Sequence, residues 1–184
     1  AKREGYRARS AYKLLQIQKK YRILKPGDTV VDLGAAPGGW SQVAKEITGI
    51  KGKIIGVDIL PIKPIPGIIF LQGDMTKDED IQRILSLTDK NTVDAIISDM
   101  SPNISGNYSV DQARSVFLCE QALKTCDILL KDGGSFVCKI FEGEDLPDFI
   151  QKVKNRFKIV KQFDPEASRK SSSEIYIIAK YFKK

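Results

Sequence analysis

The sequence contains no histidine. Ser-His-Asp and Cys-His catalytic machinery is therefore excluded, and any proton transfer is left to lysine, aspartate, glutamate or tyrosine. Cysteine is scarce: the chain has three and no C-x-x-C pair, so neither a zinc ribbon nor a disulfide scaffold is expected. Cys119 and Cys126 have the spacing of neighbours on one helix face, which favours packing in the core.

Long hydrophobic runs are also missing. No apolar segment approaches the roughly 20 residues of a membrane-spanning helix. We therefore expect no membrane partner. The chain starts at Ala1, so a targeting presequence can lie upstream. We expect an intracellular protein, with the mitochondrion or another organelle, the cytoplasm and the nucleolus all left open.

Positive charge is concentrated at the two ends of the chain. Residues 1–25 hold nine Lys and Arg against one acid, residues 26–150 hold eleven against nineteen, and residues 151–184 hold ten against three. Aromatic residues such as Tyr12 and Phe157 are interleaved with these charges, which is not typical of frayed, merely solvated tails. Basic ends around an acidic middle favour a nucleic acid as partner.

Strand and helix patterns alternate along the chain, as in a doubly wound α/β fold. Strands are predicted at 29–33, 53–58, 67–71, 93–99, 134–140, 157–163 and 174–182. Helices are predicted at about 10–20, 40–48, 78–88, 110–130 and 144–155. The early strands are continuously apolar, which is typical of a parallel sheet covered on both faces. We expect one domain, residues 1–184, with a mostly parallel sheet and an antiparallel last strand.

A strand, a small-residue turn and a helix follow one another near the start. The apolar run Thr29–Leu33 leads into the turn Gly34–Gly39, and a helical pattern begins at Trp40. Such a unit forms a cofactor cradle. The dinucleotide fingerprint G-x-G-x-x-G is only partly met, because Ala36 holds the middle glycine position and Pro37 lacks an N–H. The turn predicts a nucleoside pocket without a pyrophosphate grip, which suits S-adenosyl-L-methionine (SAM).

Acidic residues follow several of the predicted strands. Asp58 ends the second strand, nineteen residues after Gly39, which suits a carboxylate that binds ribose hydroxyls. Asp74 follows the third strand and is placed to accept a hydrogen bond from an adenine amine, and Asp99 ends the fourth strand. Each alone is also compatible with a helix cap. Because ligands gather at the carboxyl ends of such strands, we expect all three at one site.

Two lysines lie where a charge is not expected. Lys139 ends the apolar run that starts at Ser135, at a depth where an unpaired charge is unfavourable. Lys13 follows the predicted N-cap Ser10 and falls in a first helical turn, where a cation opposes the helix dipole. Violations of this kind tend to mark functional residues.

The motifs in their order resemble one known family. They are R-A-R-S-A-Y-K-L, D-L-G-A-A-P-G-G-W-S-Q, V-D-I-L-P, L-Q-G-D, S-D-M-S-P-N-I-S-G, G-G-S-F-V-C-K-I-F and S-R-K-S-S-S-E-I-Y. From about Arg7 to Ala179 the chain resembles the RrmJ/FtsJ family of SAM-dependent RNA ribose 2′-O-methyltransferases. Its S-D-M-S-P-N-I-S-G stretch is closer to the large-subunit ribosomal RNA branch than to the tRNA-anticodon branch. The stretch P-E-A-S-R-K-S-S-S-E-I-Y, residues 165–176, is similar to mitochondrial members.

The resemblance implies a Rossmann-like SAM-methyltransferase fold and a set of site residues. The implied catalytic tetrad is Lys13, Asp99, Lys139 and Glu174. The implied SAM-binding residues are Gly34, Ala35, Ala36, Pro37, Gly38, Gly39, Trp40, Asp58, Ile59, Asp74, Met75 and Asp99. The expected RNA-binding residues in the basic ends are Arg7, Arg9, Lys20, Arg169 and Lys170.

The implied reaction is methyl transfer from SAM to a ribose 2′-hydroxyl. No metal is expected, because the sulfonium of SAM is already an excellent leaving group. A hydroxyl is a poor nucleophile until a base takes its proton, and Lys139 is the expected base. Asp99 would hold it, while Glu174 would orient Lys13 or Lys139. Only RNA carries this hydroxyl. We therefore expect an enzyme that methylates a uridine of large-subunit rRNA, either free or in the assembled subunit. We also expect it to be a monomer.

Three other functions stay open at this point. One is a tRNA ribose 2′-O-methyltransferase. Another is a SAM-binding ribosome-assembly factor whose catalysis is dispensable, which the intact tetrad disfavours because a pure binder has no reason to place Lys139 in a strand. The third is an NAD-binding reductase, which Ala36 and Pro37 disfavour.

Overall fold

The computed structural model of the chain describes residues 5–165 and 173–184. Their backbone forms strands β1 Thr29–Leu33, β2 Lys53–Asp58, β3 Ile69–Gln72, β4 Val93–Ser98, β5 Leu130–Phe141, β6 Phe157–Phe163 and β7 Glu174–Phe182. The helices are α1 Ala11–Tyr21, α2 Gly39–Thr48, α3 Asp78–Ser86, α4 Tyr108–Leu129 and α5 Leu146–Lys154.

All of these strands belong to one sheet, in the order β3-β2-β1-β4-β5-β7-β6. The pairs among β1 to β5 are parallel. Strand β7 runs antiparallel to both of its neighbours, β5 and β6. The predicted α/β fold, with a mostly parallel sheet and an antiparallel last strand, is confirmed.

Helices cover both faces of the sheet because its strands are apolar on both sides. Successive residues of a strand point to opposite faces, so Val30 packs with one core and Val31 with the other. Helices α1 and α2 cover the face of Val30, and helices α3, α4 and α5 cover the face of Val31. Cys119 and Cys126 are buried in the second core, as expected. In the described part of the chain, no helix has both the length and the apolar character needed to cross a bilayer.

Two strands start at a different residue than predicted, and the ends of β3, β4 and β5 each differ from prediction by one residue. Strand β5 begins at Leu130 rather than at Gly134, because Leu130 pairs with Val93 across an irregularity in the register. The glycines at 133 and 134 are typical of a turn, and that pattern concealed the strand start. Strand β3 begins at Ile69 rather than at residue 67, because a tight turn precedes it in which the Ile68 N–H donates to Ile65.

The direction of β7 determines what lies beside the ends of the parallel strands. Since β7 is antiparallel to β5, its first residue, Glu174, pairs with the last residue of β5, Phe141. Lys139 pairs with Tyr176 in the same ladder. Residues from the end of the chain therefore reach the carboxyl edge of the sheet, where β4 also ends.

Candidate active site

A cavity of about 420 Å³ opens at the carboxyl edge of the sheet. It lies within the size range of small-molecule sites. The predicted cofactor residues that line it are Gly34, Ala36, Asp58, Ile59, Asp74, Met75 and Asp99. Apolar walls come from Leu33, Val57, Leu60, Met100 and Leu118. The three acids at or just after the ends of β2, β3 and β4 thus line one cavity, as expected from their positions at the carboxyl ends of parallel strands.

A smaller cavity of about 30 Å³ lies next to the glycine-rich turn. The predicted residues that line it are Ala35, Pro37, Gly39 and Trp40, together with Gly34 and Ala36. Asp99 lines both cavities, so it marks the place where they meet. Gly38 is the N-cap residue of α2, with φ 121°, a conformation that favours glycine.

The glycine-rich turn is held against the end of β2 by Asp58. Its carboxylate accepts hydrogen bonds from the Ala36 N–H at 2.9 Å and the Leu60 N–H at 3.0 Å. Gly34 has φ 68°, and a Cβ there would lie 2.1 Å from Met100 Cγ, so a larger residue does not fit. Asp58 therefore fixes the turn as well as facing the cavity.

Hydrogen bonds from Thr76 keep Asp74 in its ionised form. Its Oδ1 accepts hydrogen bonds from the Thr76 N–H at 2.8 Å and the Thr76 hydroxyl at 2.7 Å. These two bonds stabilise the charged form and lower the pKa of Asp74. An ionised Asp74 faces the cavity as a hydrogen-bond acceptor.

Lys139 is buried between two carboxylates. Lys139 is 9% exposed, and its Nζ lies 3.5 Å from Asp99 Oδ1 and 3.8 Å from Glu174 Oε2. The diagonal position of Glu174 relative to Lys139 in the β5–β7 ladder produces the second contact. The structure thus brings three members of the predicted tetrad together.

Tyr176 completes this group, and the sequence analysis missed it. Its hydroxyl donates to Asp99 Oδ1 at 2.8 Å, and its ring stacks on Trp40 with centroids 5.7 Å apart. Lys13 Nζ lies over the same ring, 6.0 Å from its centroid. The fourth member of the tetrad therefore reaches the others across Tyr176. The period of two in a strand, which puts Glu174 and Tyr176 on one face, is the signal that would have found it.

Asp32 is a further buried acid at the base of the glycine-rich turn. It is 1% exposed and accepts a hydrogen bond from the Ser41 hydroxyl at 2.7 Å. Burial raises the pKa of Asp32 to about 8, and the nearby charges of Asp99 and Asp58 act in the same direction. It also lines the smaller cavity.

The structure separates the predicted RNA-binding residues into different environments. Arg9 and Lys20 are exposed, and Lys20 Nζ lies over the rings of Tyr21 and Phe163 at 5.5 and 5.4 Å. The Arg7 guanidinium instead donates to three backbone carbonyl groups. The remaining two, Arg169 and Lys170, lie outside the described residues.

Two other predicted residues have roles within the protein. Trp40 is 3% exposed, and its Nε1 donates to the carbonyl of Ser10 at 2.8 Å. Ser10 is the N-cap residue of α1, as predicted, but its side chain makes no capping hydrogen bond. Within 5–165 and 173–184, no group of three or more His, Cys, Asp or Glu is arranged to hold a metal ion.

The sheet order and the cavity at its carboxyl edge define a class: a Rossmann-like α/β protein with a nucleoside-sized site. Residues 6–182 match the model of one family in this class, described as FtsJ-like methyltransferase. The chain belongs to the FtsJ-like methyltransferase family, and it is a methyltransferase.

Named relatives and solved structures agree with this assignment. The chain is 49% identical to the ribosomal RNA large subunit methyltransferase E of Acinetobacter baylyi, over 100% of this chain and 85% of the relative. For the Acinetobacter baumannii protein of that name, the identity is 47% with the same coverage. A crystal structure described as a ribosomal RNA methyltransferase from Plasmodium falciparum superposes with a TM-score of 0.88 at 30% identity, covering 96% of this chain and 98% of that one. Fibrillarin of Methanococcus jannaschii, at 19% identity and a TM-score of 0.59 over 88% of this chain and 69% of that one, shares the fold alone.

Proposed function

We propose that the protein transfers a methyl group from SAM to a ribose 2′-hydroxyl of large-subunit ribosomal RNA. The relatives that match over the whole chain carry the name of a large-subunit rRNA methyltransferase. The observation that carries the proposed chemistry is the contact of Lys139 with Asp99, a residue that also lines the nucleoside-sized cavity. A base candidate thus lies beside the cofactor site.

The residues of the cavity fit SAM. Asp58 at the end of β2 offers carboxylate oxygens to a ribose diol, and the ionised Asp74 offers an acceptor to an adenine amine. Ile59, Met75 and Leu118 supply apolar walls against which an adenine ring packs. SAM, when bound, supplies a methyl group on a positively charged sulfonium, which is a good leaving group.

Lys139 is the proposed general base. In its neutral form the Nζ lone pair accepts the 2′-hydroxyl proton while the ribose oxygen forms its new bond to the methyl carbon. Asp99 and Glu174 then stabilise the resulting ammonium. Tyr176 is a positioning residue, because its hydroxyl fixes the Asp99 oxygen that faces Lys139.

The substrate follows from the hydroxyl and from the charges. RNA has a 2′-hydroxyl and DNA lacks it. Arg9 is exposed just before α1, and Lys20 is exposed in its last turn. Their charges attract RNA phosphates but do not distinguish one RNA sequence from another. We propose that specificity comes from the shape of the RNA around the target. We also propose that the methylated nucleotide is a uridine.

The test is to map the methylated atom. Purified protein is incubated with methyl-labelled SAM and with large-subunit rRNA, either free or as assembled subunits, and with tRNA as the competing substrate. The proposal predicts one ribose-methylated uridine in the large-subunit rRNA, detected by resistance of the adjacent bond to alkaline cleavage. Label on a base, or on tRNA alone, would overturn it. SAM binding without any transfer would instead support an assembly factor.

A further inference from the structure

Residues 5–10, named here the N-terminal segment, are fastened to helix α2. The Gln42 side chain accepts from the Arg7 N–H at 2.9 Å and donates to the Gly5 carbonyl at 2.9 Å. The Tyr6 hydroxyl donates to Glu46 at 2.7 Å. With the bond from Trp40 to Ser10, these contacts hold the segment along α2 and across the glycine-rich turn.

The two glycines at the start of α2 permit this close approach. A Cβ on Gly39 would lie 3.1 Å from the Cβ of Ala8. A Cβ on Gly38 would lie 3.2 Å from Ile65 Cδ1 and 3.5 Å from Arg7 Cδ. A side chain at Gly39 would therefore crowd the N-terminal segment, and one at Gly38 would crowd both that segment and the loop between β2 and β3.

The Arg7 guanidinium joins these elements. Its Nη1 donates to the carbonyl of Pro37 at 3.1 Å and to that of Lys63 at 2.5 Å, and its Nη2 donates to that of Pro64 at 3.0 Å. Pro37 belongs to the glycine-rich turn, and the other two belong to the loop between β2 and β3. One planar side chain thus connects the segment, the turn and the loop.

This loop is also a wall of the main cavity. Ile59 and Leu60, at its start, line the cavity that is proposed to hold SAM. A neighbouring groove of about 520 Å³ shares Ala36 and Leu60 with that cavity and is lined by Arg7. Displacement of the loop would therefore open the side of the cofactor site.

We propose that Arg7 is a positioning residue of the cofactor site rather than a contact to RNA. It holds the loop between β2 and β3, residues 59–68, closed against the glycine-rich turn. The inference rests on the proposed function, since it takes SAM as the ligand of the main cavity. A lysine would keep the charge but lose the planar fork that spans three carbonyl groups. A phosphate contact, in contrast, needs only the charge.

Three variants separate the two roles: Arg7→Lys, Arg7→Gln and the matched control Arg9→Gln. Arg9 lies two residues away, is exposed, and has no side-chain hydrogen bond or ion pair among the described residues. We expect both Arg7 variants to raise the Kd and the KM for SAM about tenfold, while kcat at saturating SAM stays unchanged. Arg9→Gln should leave SAM binding unchanged and weaken RNA binding in a salt-dependent way.

Hydrogen exchange of the segment 59–68 gives a second readout that needs no ligand. We expect faster exchange there in Arg7→Lys than in the wild type or Arg9→Gln, at an unchanged midpoint of global unfolding. Wild-type SAM affinity and wild-type exchange in Arg7→Lys would overturn the inference. A wild-type protein that does not bind SAM would instead contradict the proposed cofactor, and the exchange comparison would still decide whether Arg7 holds the loop.

Discussion

At the scale of single residues, the site depends on the carboxylates that balance the charge of the buried Lys139 ammonium. A buried cation without partners is strongly unfavourable. Lys139 has two carboxylates within 4 Å, and one of them, Asp99, also accepts a hydrogen bond from the Tyr176 hydroxyl. Removal of the tyrosine hydroxyl therefore frees the carboxylate to turn, without removing either charge.

Tyr176→Phe tests that arrangement. We expect kcat to fall about 10-fold, because Asp99 loses a hydrogen bond to a charged acceptor, while the KM for SAM changes little. The phenyl ring can keep its stacking on Trp40, so the midpoint of unfolding should stay close to the wild-type value. Steady-state kinetics with varied SAM separates the two parameters. An unchanged kcat would show that Tyr176 only packs.

Asp32 makes stability depend on pH. Its pKa of about 8 in the folded protein lies above the ordinary value of 3.8, so the folded state binds the proton more tightly. The stabilisation is complete below about pH 4 and is lost as the pH rises through 8. Over that window the contribution of Asp32 to the free energy of unfolding should fall, with a limiting slope of about 1.4 kcal/mol per pH unit.

The comparison of wild type with Asp32→Asn isolates this contribution. Denaturant unfolding of both proteins between pH 5 and pH 8 gives two curves of stability against pH. The wild-type curve should fall more steeply with rising pH than that of Asp32→Asn, which keeps a neutral side chain at every pH. Parallel curves would show that Asp32 does not titrate in this range.

At the scale of elements, the end of β2 and the glycine-rich turn act as one unit through Asp58. Asp58→Asn leaves a single carbonyl oxygen where two carboxylate oxygens accept from Ala36 and Leu60. We expect SAM binding to weaken by about 1–3 kcal/mol, because a ribose contact and one backbone contact are lost. Calorimetric titration measures it. Asp89→Asn, at an exposed carboxylate that pairs with Lys53, is the control; equal affinity in both variants would contradict the role of Asp58.

The sequence predicts the elements better than the contacts between them. Apolar strands such as Val93–Ser98 are recognisable because the period and composition are local properties. The period of two in β7 puts Tyr176 on the same face as Glu174, but its bond to Asp99 joins positions 77 residues apart and depends on the strand order of the sheet. The same holds for Arg7, whose guanidinium is engaged only because the loop before β3 presents the carbonyls of Lys63 and Pro64.

The acids of the site illustrate what topology adds to a pattern. Asp58, Asp74 and Asp99 could be placed at one edge because parallel strands have their carboxyl ends together. Asp32 lies within a strand, one residue before its end, and its burial and raised pKa depend on α2 packing over it. Sequence alone treats it as part of the glycine-rich motif.

At the scale of the whole molecule, the basic N-terminal region lies on the face that carries Lys139. Helix α1 covers the sheet face to which Tyr176 belongs, and Arg9 and Lys20 are exposed at and before this helix. Lys51 and Lys90 are exposed at the opposite edge, before β2 and β4. The two pairs of cations therefore differ in position relative to the site and not in charge.

A double variant at each place tests whether position matters. We expect Arg9→Gln with Lys20→Gln to reduce the slope of log affinity for rRNA against log salt by about 1.4, since each phosphate contact to single-stranded RNA contributes about 0.7. Lys51→Gln with Lys90→Gln should leave the slope nearly unchanged. Fluorescence anisotropy over a salt series measures both. Equal slopes in the two double variants would mean that RNA does not bind on the α1 face.

The central claim is that Lys139 removes the proton from the ribose hydroxyl, and single-turnover methyl transfer by Lys139→Arg tests it most directly. Arginine keeps the positive charge between Asp99 and Glu174 but does not give up its proton. With SAM and rRNA saturating, we predict a rate about 10²–10⁴-fold below wild type, both in Lys139→Arg and in Lys139→Ala, with SAM binding retained. A Lys139→Arg enzyme that transfers methyl groups at nearly the wild-type rate would contradict the account and leave Lys139 as a cation that only positions the RNA.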